Sequence, residues 1–318
     1  MILQARQREN SKRAFVKMKI RVLFLLALTI LNATGATIDT AQIDQLTGLK
    51  GKLNEKEGSY KISFTREDVT VFVDGWKIPA FMGLSTWAAF TKATHSEAMV
   101  MGDTVLLEDE VNLAMFVALE SGLSVTALHN HFFFDEPKVY FMHIGGEGDT
   151  AALAKGVRAS LDTVKKIRAD NPQPGQSFTS SGIPAKSSIT AETIQDILGT
   201  KGETKDGMFK AVYGRTVKMP CGCEVGKEMG VNTWAAFAGC DDDAVVDGDF
   251  VVRGDELQAA LKSLRKSGIN IVAIHHHMIG EEPRMIFFHY WGRGPAKQLA
   301  SAIKSALQAT KTIAPPPK

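Results

Sequence analysis

The chain runs to 318 residues, 44% of them hydrophobic and 23% charged, with a formal net charge of +2. That length and composition suit a globular protein with room for two domains. The small net charge, with no Lys/Arg run interleaved with aromatics, argues against nucleic acid and against an acidic membrane surface as partners.

Residues 1–36 differ in kind from the rest. Lys17, Lys19 and Arg21 precede an apolar run from Val22 to Leu31, and Ala33, Gly35 and Ala36 follow. A charged region, a short apolar region and a small-residue cleavage zone, in that order, make an export signal. The run falls short of the roughly 20 apolar residues of a membrane span. The mature chain is therefore expected to be periplasmic or secreted, with no stable membrane span; an uncleaved anchor is the alternative. No cysteine follows the apolar run to accept a lipid.

Beyond the leader, residues 59–63 and 69–76 read as strands, the second from the alternation of Val69, Val71 and Val73. Thr86-Trp87-Ala88-Ala89-Phe90 reads as part of an amphipathic helix whose tryptophan packs in the core. Met99–Leu107 is an apolar strand, and Asp103, after a glycine, reads as a turn residue. Asp109 caps a helix that runs to Leu119 and ends at Gly122. A strand follows over Leu123–His131, then a turn around Asp135-Glu136-Pro137 and a returning strand over Val139–Ile144. Gly145-Gly146-Glu147-Gly148 reads as a loop, and Asp149 opens a last helix through Lys166. The order β-β-α-β-α-β-β-α predicts an α+β unit, a mixed sheet with helices packed on it.

The same text then returns. Residues 166–190, rich in Pro, Gly, Ser and Thr, read as a linker between a first repeat over 40–165 and a second over 191–315. In the second repeat Thr233-Trp234-Ala235-Ala236-Phe237 answers the tryptophan segment. Val245–Val252 answers the apolar strand, with Asp249 in the place of Asp103, and Asp255 starts a helix that ends at Gly268. Two homologous units related by a pseudo-twofold are expected. The tail from Ala314 to Lys318 is read as disordered. Cys221, Cys223 and Cys240 all lie in the second repeat, where a disulfide between Cys240 and either Cys221 or Cys223 is expected. A soft-metal group of Met219, Cys221, Cys223 and Met229 is the alternative.

The sharpest signal is a duplicated constellation. His129, His131, Glu136 and His143 recur 146 positions later as His275, His277, Glu282 and His289 (129 to 275, 131 to 277, 136 to 282, 143 to 289). Side chains at i and i+2 of a strand share a face, so each His-x-His presents two imidazoles on one side. With the hairpin centred on Glu136, His143 falls opposite His129, where Cβ atoms stand about 4.5–5.5 Å apart. Convergent imidazoles with a carboxylate suit zinc, copper, iron or nickel, and a divalent transition metal such as zinc or copper is the expected cofactor. Histidines satisfied by backbone carbonyls, or by Asp103 and Glu110, as a core polar network are the other reading.

Gly102-Asp103, Asp109-Glu110-Val111-Asn112, Ala127-Leu128-His129-Asn130-His131, Glu136-Pro137 and Phe141-Met142-His143 together resemble the LppY/LpqO family of bacterial exported proteins. Ala273-Ile274-His275-His276-His277 and Glu282-Pro283-Arg284 repeat the likeness. The resemblance covers nearly all of the chain after the leader. It implies a bacterial exported protein and no particular activity, because the family is defined by a domain of unknown function. Some of its members are lipoproteins, and this chain lacks the lipid-accepting cysteine.

Three function classes follow. The leading one is an exported protein that binds a metal ion or small ligand through the two histidine hairpins. A metal-dependent hydrolase or lyase would use Glu136 or Glu282 as general base on metal-bound water. A structural or interaction module would bury the histidines as core. No nucleophile elbow, phosphate loop or HExxH motif is present. The sequence leaves open the oligomeric state, and whether the constellations form one site or two.

Overall fold

The computed structural model describes residues 38–175, 182, 184 and 186–310. The expected leader, the 314–318 tail and part of the expected linker lie outside these residues. Each repeat opens with a short helix, α1 (Thr40–Thr47) or its later counterpart, closed by a left-handed glycine, Gly48 or Gly199. The first repeat continues with β1 (Lys52–Asn54), β2 (Ser59–Thr65), β3 (Phe72–Val73), β4 (Trp76–Lys77), β5 (Ser85–Lys92) and β6 (Ala98–Leu107). It ends with α2 (Glu108–Glu120), β7 (Ser124–His129), β8 (Asp135–Glu136), β9 (Val139–Gly148) and α3 (Thr150–Asp170). The second repeat comprises α4 (Ala191–Leu198), β10 (Glu203–Lys205), β11 (Met208–Gly214), β12 (Val217–Lys218), β13 (Glu224–Val225) and β14 (Asn232–Gly239). It closes with β15 (Ala244–Arg253), α5 (Leu257–Lys266), β16 (Asn270–His275), β17 (Met285–Gly294) and α6 (Ala296–Ala309).

The principal sheet has twelve strands in the order β1-β2-β5-β6-β9-β7-β16-β17-β15-β14-β11-β10. Exchanging each strand for its repeat counterpart reads this order backwards. The expected mixed sheet is instead antiparallel at its named pairings. The reason is local: β6 and β7 run parallel across helix α2, but β9 returns between them and makes both contacts antiparallel. The repeats are halves of one sheet, joined where β7 pairs with β16 at Leu128 and Ile274, which are themselves counterparts.

The seam is tied twice over. On one side Asn112 accepts from the Ile271 N–H at 2.8 Å and donates to its carbonyl at 3.3 Å. On the other side Gln258 does the same for Val125, at 2.8 Å in both directions. Asn112 and Gln258 are counterparts, so each repeat extends one helix side chain to the other's central strand. Leu128 and Ile274 are 1% and 6% exposed, and burial of each contributes about 1.5–3 kcal/mol. The helices pack on this face of the sheet, and one core cluster runs through both repeats. The opposite face carries two small apolar clusters. One gathers Val71, Leu84, Val105 and Phe141 beneath the β4-β3-β8 flap, and the other gathers Val217, Val231, Val251 and Phe287 beside the β12-β13 hairpin.

Several expectations change here. The Thr86–Phe90 segment lies in β5 rather than a helix: Thr86, Ala88 and Phe90 are buried while Trp87 and Ala89 are half-exposed, the period of a strand. Trp87 and Trp234 therefore sit outside the main core, each under a lysine, Lys61 at 4.2 Å and Lys210 at 4.3 Å. The 69–76 strand breaks into β3 and β4, because Asp74 and Gly75 both take positive φ and make a tight hairpin turn. The glycine-rich 145–148 stretch is the end of β9 rather than a loop.

Helix α2 is capped from within. Glu110, its third residue, accepts the Leu107 N–H at 2.8 Å, while Asp109 pairs with Arg168. Likewise α5 begins after Glu256, which accepts the Arg253 N–H at 2.9 Å, rather than at Asp255. The disulfide joins Cys221 to Cys223 and not to Cys240. The first two bracket the tip of the β12-β13 hairpin, whereas Cys240 directly follows β14, where its thiol faces the Asp243 carbonyl.

Candidate metal centre

The histidines occupy the sheet face opposite the helices. His129 ends β7 and His275 ends β16, with the buried Leu128 and Ile274 beside them pointing to the helical core. The third histidines, His143 and His289, stand on the returning strands β9 and β17. In the ladder His129 lies opposite Phe141, and His143 opposite Ala127; His275 and His289 lie opposite Phe287 and Ala273. Each hairpin is thus centred one residue earlier than expected, on Asp135 and on Glu281, and the third histidine is diagonal to the first.

Turn chemistry explains the register. The buried carboxylates of Asp135 and Glu281 accept the N–H groups of Val139 (2.7 Å) and Met285 (2.8 Å) and close the turns. The residue between each histidine pair fastens the hairpin. Asn130 donates to the Val139 carbonyl at 2.9 Å, and His276 contacts the equivalent Met285 carbonyl at 3.2 Å.

The imidazoles converge. His129 and His143 stack with ring centroids 5.2 Å apart, and His275 and His289 stack at 4.9 Å. His131 and His277 lie flat on Phe141 and Phe287, at 3.4 and 3.6 Å. The Nε2 atoms of His129 and His131 are 3.2 Å apart, and those of His275 and His277 are 3.1 Å apart. Two nitrogens on one tetrahedral zinc, each about 2.0–2.1 Å from it, are separated by about 3.3 Å.

The carboxylates that join them are Asp103 and Asp249. Their places within β6 and β15 put them directly across the ladder from His143 and His289, not in turns. They are 8% and 4% exposed, and in each the Oδ1 atom has no hydrogen-bond partner within the protein. Asp249 Oδ2 lies 3.3 Å from His277 Nε2. The donor atoms of Asp249, His275 and His277 all lie within 4.8 Å of one another.

Glu136 and Glu282 stand elsewhere. Both are exposed and precede a cis proline. Glu136 pairs with Phe72 in the flap, and Glu282 exchanges backbone hydrogen bonds with Lys218. Among the described residues neither carboxylate contacts a histidine of the constellation. The signal that would have found the aspartates was present: Gly102-Asp103 and Gly248-Asp249 recur at the histidine offset, inside an apolar strand.

Electrostatics favours neutral imidazole. Burial, reinforced by the neighbouring His289, His277 and His276, holds His275 down to about 4. Burial likewise lowers His129, helped by His131 and His143, and it lowers His131 against the pull of Asp103. Burial pushes the Asp249 carboxyl up, and His289 and His277 oppose it. Two further contacts fix tautomers: His277 Nδ1–H donates to the Gly230 carbonyl, and His289 Nδ1–H to that of Gly248, each at 3.2 Å. Each contact turns the Nε2 side of its ring away from the carbonyl, as a metal-ligating histidine is held when its other nitrogen donates to the backbone. A buried carboxylate oxygen without a partner, beside neutral imidazoles, is a donor set that fits a divalent transition metal.

Comparison with known proteins gives a family and little more. A family model described as Domain of Unknown Function (DUF1259) matches residues 41–163 and again 192–309. No curated protein matches the chain. Among solved structures, a trimeric bacterial microcompartment shell protein, PduB, is 11% identical, with a TM-score of 0.21 over 81% of this chain and 89% of its own. A double-ringed trimeric shell protein of the RMM microcompartment is 12% identical, with a TM-score of 0.18 over 68% and 84%. Likenesses this slight bear on neither fold nor function.

Proposed function

The chain belongs to the family of Domain of Unknown Function (DUF1259), present as two tandem copies, and because that membership brings no activity we propose from the site that it is an exported protein that binds a divalent transition metal. The observation that carries the reading is the Asp249, His275 and His277 group, with donor atoms within 4.8 Å and a buried aspartate oxygen that no protein group satisfies. Two histidines and a carboxylate suit zinc, copper or iron and leave coordination positions for a small ligand. The first repeat offers the corresponding Asp103, His129, His131 and His143.

Export is supported by the charged, apolar and small-residue order of residues 17–36 and by the Cys221–Cys223 disulfide, a bond that persists in oxidising compartments. We read the repeats as related by a pseudo-twofold beside the Leu128–Ile274 pair, on the strength of the exchanged Asn112 and Gln258 contacts.

Elemental analysis of protein purified without an affinity tag is the test. A bound transition metal, lost from the second repeat in the His275→Ala, His277→Ala double variant, is the expected result. Metal-free protein that takes up neither zinc nor copper, and melts at the same temperature with and without them, would leave the histidines as a structural network.

A further inference from the structure

Resting on that metal-binding reading, we infer that the two clusters are separate and unequal: the second repeat holds the tight site, and the first repeat a weaker, exchangeable site beside it on the same sheet face. Proximity follows from the seam. Leu128 pairs with Ile274, so His129 and His275 each stand one residue beyond the shared pair and project from the same face. Separateness follows from the ring contacts, which among the described residues always join histidines of one repeat.

The inequality lies in what holds the rings. In the second repeat the carbonyls of Gly230 and Gly248 each take a ring Nδ1–H, and Asp249 reaches His277 Nε2 at 3.3 Å. Among the described residues the rings of His131 and His143 have no backbone tether, and no counterpart of the Asp249–His277 contact joins Asp103 to His131. The cause is one side chain. The residue after the second histidine is Phe132 in the first repeat and Met278 in the second. A methyl group added at Gly83 would meet the Phe132 ring at 3.6 Å, whereas one at Gly230 would meet His277 Nδ1 at 3.7 Å. Phe132, edge-on to His131 at 6.0 Å, is thus the side chain that stands against Gly83, where Gly230 has the second histidine itself. Gly83 also sits at φ 143° rather than the 84° of Gly230, and among the described residues its carbonyl meets no histidine as that of Gly230 does. Loss of such an orienting contact costs roughly 10–100-fold in metal affinity.

The test titrates the metal-free full chain with zinc against a chromophoric chelator. Two classes of site in equal number, separated by roughly 10–100-fold, are expected. Asp249→Asn should abolish the tight class alone, and His131→Ala the weak class alone. Phe132→Met, which frees Gly83 to hold His131, should tighten the weak class towards the strong one. Two indistinguishable sites, or a tight class removed by His131→Ala, would overturn the inequality, and a Phe132→Met variant with an unchanged weak class would overturn the cause assigned to it, each leaving metal binding intact. No uptake of zinc by the unaltered chain would instead overturn the metal-binding reading itself.

Discussion

At the scale of single residues, the titration of His275 has a measurable consequence. In the unfolded chain its imidazole has its ordinary value near 6.5, while in the fold burial and three neighbouring histidines hold it down to about 4. The unfolded state therefore binds more protons between those values, and stability must fall as pH falls through that window. Metal-free protein is expected to lose stability from pH 6.5 towards pH 4, and His275→Gln should flatten that part of the profile. Denaturant melts at a series of pH values measure it; an equally steep decline in the variant would assign the effect elsewhere. A second expectation separates the carboxylates. Asp249→Asn should lower metal content, while Glu282→Gln, exposed and remote from the imidazoles, should leave it unchanged by elemental analysis. The histidines were legible because period-two parity alone puts residues i and i+2 on one face. Their carboxylate was not, because parity does not set register: the Asp135 and Glu281 turns, and a bulge between Val125 and Ala127, decide which residue lies opposite His143.

At the scale of elements, helix α2 and the flap depend on a buried ion network. Glu110 is fully buried and takes both terminal nitrogens of Arg66, at 2.7 and 2.9 Å, along with Arg168 and the Leu107 N–H. Arg66 is itself 1% exposed and also donates to the Val105 carbonyl at 3.0 Å. Glu110→Gln would remove the buried charge that Arg66 and Arg168 share, leaving Arg66 to Asp68 (2.8 and 3.0 Å) and Arg168 to Asp109; breaking a buried pair in this way costs about 3–5 kcal/mol. Equilibrium unfolding should show that loss, and an effect below about 1 kcal/mol would mean the network is solvated. Arg215 and Glu256 repeat the arrangement at 2.7 Å in the second half. The sequence located the helix but assigned its cap to Asp109, since a capping aspartate is the commoner signal, and nothing in the local text announces a glutamate reaching back from the third position. Strand β5 was illegible for a related reason. Thr-Trp-Ala-Ala-Phe is too short a window to separate a period of 2 from one of 3.6, and only the pairing with β2 and β6 settles it.

At the scale of the molecule, the repeats were legible but their union was not, because β7 and β16 carry no sequence mark of being neighbours. Their pairing makes a strand that would be an edge in one repeat into the middle of a twelve-stranded sheet. An isolated first repeat would expose β7 with its backbone groups unpaired and Leu128 at the rim, a template for another strand. The strand it lacks is its own counterpart: Leu128 pairs with Ile274, Asn112 reaches Ile271, and Gln258 reaches Val125. A second copy of the first repeat can supply the same antiparallel partner, with Asn112 of each copy reaching the Val125 backbone of the other. A fragment over residues 38–170 is therefore expected to form a homodimer through β7, read by light scattering coupled to size exclusion. Replacing Val125 by proline removes the N–H that the partner's Asn112 would accept and should leave the fragment monomeric or aggregated. A folded, monomeric wild-type fragment would show that the first repeat closes on itself and that the seam is a junction between two self-sufficient halves.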